Sequence, residues 1–144
     1  MQYSTQIKIN LPRTKVIELF DSNENMFKWQ NDLISFDPVS GDPGKEGAKS
    51  RMIYKMGKRK VEMIETITKR NFPDEFSGTY EAKGVWNLQQ NFFEETSVGK
   101  TKWVSISEFK CKGWMAIMCW LMPGAFKKQT LKFMNNFKEF AENE

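Results

Sequence analysis

The sequence predicts an α+β fold: a curved antiparallel β-sheet of about seven strands wrapped on a long C-terminal helix, with two short helices between strands 1 and 2. Three observations carry this. Alternating apolar runs broken by glycine or proline fill most of residues 1–112, a pair of short helical segments interrupts them early, and after Gly113 the apolar spacing changes to threes and fours. A chain of 144 residues falls within the size of one domain, and 1–144 is expected to form a single domain.

Tyr3, Thr5, Ile7, Ile9 and Leu11 lie on alternate positions, as in a half-buried strand that Pro12 ends. Proline suits a first helical turn, and Val16, Ile17, Leu19 and Phe20 form one helical face, predicting a short helix from about Pro12 to Phe20. Ser22 or Asn23 can cap a second helix with Met26, Phe27 and Trp29 on its inner face. Leu33 to Phe36 reads as a strand, and the stretch holding Pro38, Gly41, Pro43, Gly44 and Gly47 as a loop. Met52, Tyr54 and Met56 alternate before a tight turn at Met56-Gly57-Lys58, and Val61, Met63 and Ile67 follow it. Phe76, Gly78, Tyr80 and Ala82 form the next alternating set, Val85 to Glu95 another strand, and Thr101 to Lys112 the last. Beyond Pro123-Gly124, Phe126, Thr130, Phe133, Phe137 and Phe140 form a helical stripe that must pack on something.

Composition narrows the function. With no histidine in the chain, the commonest general base, the Ser-His and Cys-His pairs and imidazole metal ligands are excluded together, and no metal or cofactor is expected. The glycines match neither a dinucleotide fingerprint nor a P-loop. A net charge of +4 is mild, and the basic group Lys55, Lys58, Arg59 and Lys60 has no interleaved aromatics, so nucleic acid is not an expected partner. Cys111 and Cys119 lack a C-x-x-C spacing, and residues 1–10 lack a secretory layout; both cysteines read as reduced thiols in a cytoplasmic protein.

The order strand, helix pair, antiparallel meander and long terminal helix resembles that of the START/Bet v 1-like superfamily, which includes polyketide cyclases and aromatases. Pro12 with Val16, Leu19 and Phe20, then Met26, Trp29 and Leu33, is similar to its entry helices and the tryptophan-bearing turn after them. Ser40-Gly41-Asp42-Pro43-Gly44-Lys45-Glu46-Gly47 resembles its glycine-rich loop between the second and third strands. The resemblance implies a helix-grip fold, and one fold of this kind hosts carriers, cyclases and co-chaperone-like modules alike.

A sheet that curves around a helix can leave a cavity between them, and 12 Phe, 9 Met and 5 Trp provide flat and flexible lining. The candidate lining is Trp29 near the mouth, Met52, Tyr54, Met63, Phe76, Tyr80, Trp103 and Phe109 on strands, and Met118, Phe126 and Phe133 on the helix; the alternative is that these fill a solid core. In Val85 to Glu95, hydrophobicity favours Trp86, Leu88, Gln90 and Phe92 facing inward. The opposite phase would bury Asn87, Gln89 and Asn91, which would then need partners. Among the strand glutamates Glu65 and Glu108 adjoin apolar positions and are the candidate acid/base groups, whereas Glu62, Glu81, Glu94 and Glu95 fit a solvated face.

The segment Trp114–Met122 is apolar all round and too short to cross a bilayer, which needs roughly 20 residues. A second copy or a cavity lid is the expected cover, with a membrane surface ranked after them because the flanking Lys127 and Lys128 are only two charges. The expected function is binding of an apolar lipid-, polyketide- or isoprenoid-like molecule as carrier or sensor. A cyclase/aromatase-type enzyme and a protein-interaction module are the alternatives, since no catalytic constellation is visible.

Overall fold

The computed structural model describes all 144 residues. Strand β1 (Gln2–Ile9) is followed by helices α1 (Arg13–Phe20) and α2 (Asn23–Trp29), then β2 (Leu33–Ser40), β3 (Lys49–Met56), β4 (Arg59–Asn71), β5 (Glu75–Ala82), β6 (Val85–Ser97) and β7 (Lys100–Cys111). Helices α3 (Trp114–Leu121) and α4 (Pro123–Glu142) complete the chain, so the terminal helix predicted as broken at Pro123 is two helices. The seven strands form one antiparallel sheet in the order β1-β7-β6-β5-β4-β3-β2, with β1 and β2 at its edges. Strand β2 runs through Pro38 to Ser40, beyond the Phe36 predicted from sequence; an edge position tolerates a residue that cannot donate to a ladder.

Local chemistry fixes the joints. The Ser22 hydroxyl accepts from the Asn25 N–H at 3.1 Å and caps α2, and Ser22→Ala should cost about 1 kcal/mol, seen as a lower urea midpoint. Helix α1 has no side-chain cap of its own, but the Arg13 N–H at its start donates to Glu95 from β6 at 3.2 Å. Gly57 turns β3 into β4 with φ +65°, a backbone conformation that a side chain disfavours. At the far end of α4, Lys138 donates to the Lys8 carbonyl and Glu142 accepts from the Asn10 N–H, binding the helix to the end of β1.

The apolar core lies at one end of the inner sheet face. Ile9, Val16, Leu19, Trp29, Phe93, Trp103, Met134, Phe137 and Ala141 are buried together. Phe20 meets Trp29, Phe93, Trp103 and Phe137 within 6.3 Å between ring centroids, a hub of offset and edge-on aromatic pairs. The α4 stripe faces inward as predicted, with Met134 and Ala141 added to it.

Two expectations are overturned. In β6 the inward set is Asn87, Asn91 and Phe93, with Val85 and Gln89 in the same phase, because Phe93 pairs directly with the core residue Trp103 and fixes the phase of the whole strand. Trp86 and Phe92 therefore lie on the outer face, where the Lys110 ammonium stands 4.9 Å from the Trp86 ring centroid. Cys111 and Cys119 are not free thiols but a disulfide that ties α3 to the end of β7, so the reduced-thiol argument for a cytoplasmic protein loses its premise. No helix is long and apolar enough to cross a membrane.

Candidate functional site

Direct cross-strand partners share a face, so the strand register places the inner-face residues in rows. One row reads Ser50, Glu65, Tyr80, Asn87, Phe109, from β3 to β7. The next reads Ile67, Gly78, Gln89, Ser107, Tyr3, and a third Phe76, Asn91, Ser105, Thr5. Beyond them comes the core pair Phe93–Trp103. The inner face is thus divided: apolar under the C-terminal half of α4, and rich in hydroxyl, amide and carboxyl groups toward the end where α3 is attached.

The amides that this phase buries have partners. Asn91 Oδ1 accepts from the Trp103 indole N–H at 3.0 Å, and Asn87 Nδ2 donates to the Glu108 carbonyl at 3.1 Å. Tyr3 and Thr130 share a hydrogen bond of 2.7 Å that joins β1 to α4. The hydroxyls of Ser105 and Ser107 are fully buried and have no hydrogen-bond partner in the protein, nor has the buried Trp29 indole N–H. Such groups are costly unless something bonds to them.

Glu65 is the buried carboxyl of this face. Tyr80 donates to its Oε2 at 2.8 Å, and no protein group bonds its Oε1. Burial pushes the Glu65 pKa up, and the hydrogen bond from Tyr80 only partly opposes it. Burial also raises Tyr80, well above its ordinary range, and the adjacent Glu65 charge adds to the effect. Tyr54, two rows further along β3, donates to Gln30 Oε1 at the end of α2, and burial raises its pKa too. Gly78 makes room for this array. A Cβ there would lie 3.0 Å from the Thr66 carbonyl oxygen and 3.6 Å from the Tyr80 hydroxyl. Gly78→Ala should therefore cost about 1–3 kcal/mol in chemical denaturation.

The predicted site residues separate into groups. Tyr54, Met63 and Tyr80 are half-buried on the inner face, and Met52 is fully enclosed there. Phe109 packs on Phe126 of α4, with ring centroids 4.5 Å apart, and on Tyr3. Trp29, placed near the mouth by the sequence reading, is instead core: it packs on Phe133 and Phe137. Trp103 is likewise core, and Phe76 stacks on Phe72. Met118 is half-buried on α3. Glu108 is a correction: Ser107 and Phe109 face inward, so its side chain lies on the outer face of β7, away from Glu65. Glu62 and Glu94 pair with Arg51 and Lys102 on that solvated side. Ser105, Ser107 and Gln30 were not singled out from sequence; once Trp103 is set inward, alternation along β7 gives the two serines, but nothing local signals Gln30.

Two of the surface grooves border these elements. One, of about 410 Å³, lies beneath α3 and is lined by Met1, Phe109, Cys111, Ala116, Cys119, Trp120 and Pro123. The other, of about 340 Å³, lies between the ends of α2 and α4 and is polar. Phe109 is common to the first groove and to the Glu65 row.

This architecture is a helix-grip fold, the fold that the resemblance to START/Bet v 1-like proteins implies. The chain is similar to Ara h 8.0201 (TM-score 0.79, 14% identity, 100% of this chain and 99% of that one). It is also similar to the Zhui aromatase/cyclase from Streptomyces sp. R1128 (TM-score 0.82, 8% identity, 99% and 93%). A third similar structure is norcoclaurine synthase from Thalictrum flavum in complex with dopamine and hydroxybenzaldehyde (TM-score 0.76, 10% identity, 100% and 87%). At these identities the likeness is one of fold. No protein-family model matches the sequence, and no curated protein matches it.

Proposed function

We propose that residues 1–144 form a single domain that binds an apolar small molecule carrying hydroxyl or carbonyl groups, and acts as its carrier or sensor. The observation that carries this reading is the Glu65–Tyr80 pair, on an inner face that also holds the unpartnered hydroxyls of Ser105 and Ser107. A face meant only for packing would be apolar throughout. Here aromatic walls, Tyr3, Phe109 and Phe126, stand beside polar groups that a ligand would satisfy. Tyr54, Met63, Met52, Phe133 and Met118 would contribute further wall. The similar fold of norcoclaurine synthase, in complex with dopamine and hydroxybenzaldehyde, supports the ligand class.

Native mass spectrometry of the purified chain tests for a retained compound, and titration with 2-naphthol against naphthalene tests the polar contribution. The phenol should bind at least about tenfold more tightly, as expected for one hydrogen bond to a charged or buried group. Ser105→Ala with Ser107→Ala should narrow that preference. Equal binding of the two compounds, or of neither, with no retained molecule, would sink the reading.

A second reading has one observation in its favour. A carboxyl whose pKa is raised by burial, hydrogen-bonded to a tyrosine, can exchange a proton with a bound enol or phenol, as a cyclase-type enzyme requires. Recovery of the bound compound with its mass and isotopic hydrogens unchanged after incubation in deuterated water speaks for carriage. Exchange at carbon that Glu65→Gln abolishes speaks for catalysis.

A further inference from the structure

Helix α3 presents an apolar face that nothing in the chain covers. Trp114 is 71% and Trp120 80% exposed, with Ile117 and Leu121 exposed beside them and Met122 following. At 100° per residue Trp114, Ile117, Trp120 and Leu121 share a contiguous arc of about 120°, a third of the helix circumference. The other side, with Met115, Met118 and Cys119, is half-buried toward the domain. The helix cannot swing freely, since the Cys111–Cys119 disulfide fastens it to β7 and Met115 lies against the turn at Gly84.

The charges around this face are of one sign. From Phe109 to Lys138 there is no Asp or Glu, while Lys110, Lys112, Lys127, Lys128, Lys132 and Lys138 fall in that span. Lys83 joins them, because its neighbour Gly84 accepts from the Lys112 N–H at 2.8 Å. Lys83, Lys110, Lys112, Lys127 and Lys128 are all exposed. Glu81 and Glu108, the acids closest in sequence, project from the outer sheet face, as does Lys110 over Trp86, which leaves Lys83, Lys112, Lys127 and Lys128 as the collar.

We infer that α3 is a docking helix for an anionic lipid surface, with Trp114, Ile117, Trp120 and Leu121 entering the interfacial layer and the lysine collar meeting the head groups. Tryptophan is the residue suited to the boundary between hydrocarbon and water, and a basic rim around an apolar face is the arrangement that anionic lipid attracts. A second copy of the chain fits the same face less well, because a two-fold contact through α3 would bring the two lysine collars together without acidic partners. With Lys127 and Lys128 alone a membrane surface ranks behind a dimer contact or a cavity lid; the fold adds Lys83 and Lys112. The inference does not depend on which molecule the inner face holds.

The test is cosedimentation of the full chain with phosphatidylcholine vesicles, with and without phosphatidylglycerol, followed also by tryptophan emission. The chain should bind the phosphatidylglycerol vesicles with a blue shift in emission, and lose binding as salt is raised. Trp114→Ser with Trp120→Ser, and separately Lys127→Glu with Lys128→Glu, should each weaken binding by at least about tenfold. These positions are exposed, and an unchanged circular dichroism spectrum confirms that each variant is folded. No vesicle binding, binding indifferent to lipid charge, or full binding by the tryptophan variant overturns the inference. So does a dimer in analytical ultracentrifugation that Trp120→Ser alone converts to monomer.

Discussion

Trp103→Ala should lower the stability of the chain by about 3–5 kcal/mol, enough to bring a domain of ordinary stability close to unfolding at ambient temperature. Trp103 is fully buried and meets Phe93, Phe133 and Phe137 with ring centroids within 6.3 Å. Its removal leaves a cavity that the sheet cannot collapse around, since β6 and β1 flank β7 on both sides. It also removes the indole N–H that Asn91 Oδ1 accepts, stranding a buried amide. Trp103→Phe keeps most of the volume but loses the hydrogen bond, and its smaller cost isolates the polar part. Urea denaturation of both variants gives the two values, and an alanine loss below about 1 kcal/mol would mean that the aromatic hub is not the keystone described here.

Glu65→Gln should stabilise the protein and weaken its ligand binding. The ordinary pKa of Glu65 is 4.5 and burial raises it in the folded state, so the folded chain holds this proton more tightly than the unfolded chain. Stability from that protonation is fully present below the unfolded value and is lost as pH rises through the folded value. Wild type and variant should therefore match in the acid range, and the gap should open above about pH 4.5 and then level off. At neutral pH the variant should be ahead by about 0.5–2 kcal/mol, since the glutamine oxygen can still accept from Tyr80. Affinity should move the other way, by at least about tenfold for 2-naphthol, because with the glutamine oxygen accepting from Tyr80 its NH2 group replaces the free acceptor oxygen. Thermal melts across pH with parallel titrations measure both. A variant less stable than wild type at neutral pH would show that the carboxylate is held for structure.

Much of the fold was legible in the residues because local rules and tertiary packing agree there. Alternation from Tyr3 to Ile9, the cap at Ser22, the turn at Gly57 and the stripe through Phe137 each state their structure within a few positions. Strand β6 was misread because Trp86, Leu88 and Phe92 outweigh Asn87 and Asn91 on any hydrophobicity scale. Its phase is decided by Phe93 opposite Trp103, a pairing that no local window contains. The candidate site was half legible for the same reason. Glu65 stood out beside apolar neighbours, yet its partner Tyr80 and the row they share arise from register between strands. Glu108 had the same local signal and lies on the other face. The disulfide was missed because Cys111 and Cys119 sit on a strand and a helix, and only the turn at Gly113 brings them together.

The sheet order has a consequence for how the chain reaches this state. Strand β1 pairs only with β7, and Thr5 waits about a hundred residues for the carbonyl of Ser105. The hairpins from β3 to β7 can form between neighbours, but α1 and α2 have no finished surface to rest on until β7 has arrived and α4 has laid Met134 and Phe137 over it. The loop that must close is long, so its entropy cost precedes the reward, and folding should be slow for a domain of this size. A nascent chain on the ribosome would carry its first strand and two apolar helices unpaired through most of synthesis, an interval in which a chaperone would have most to do.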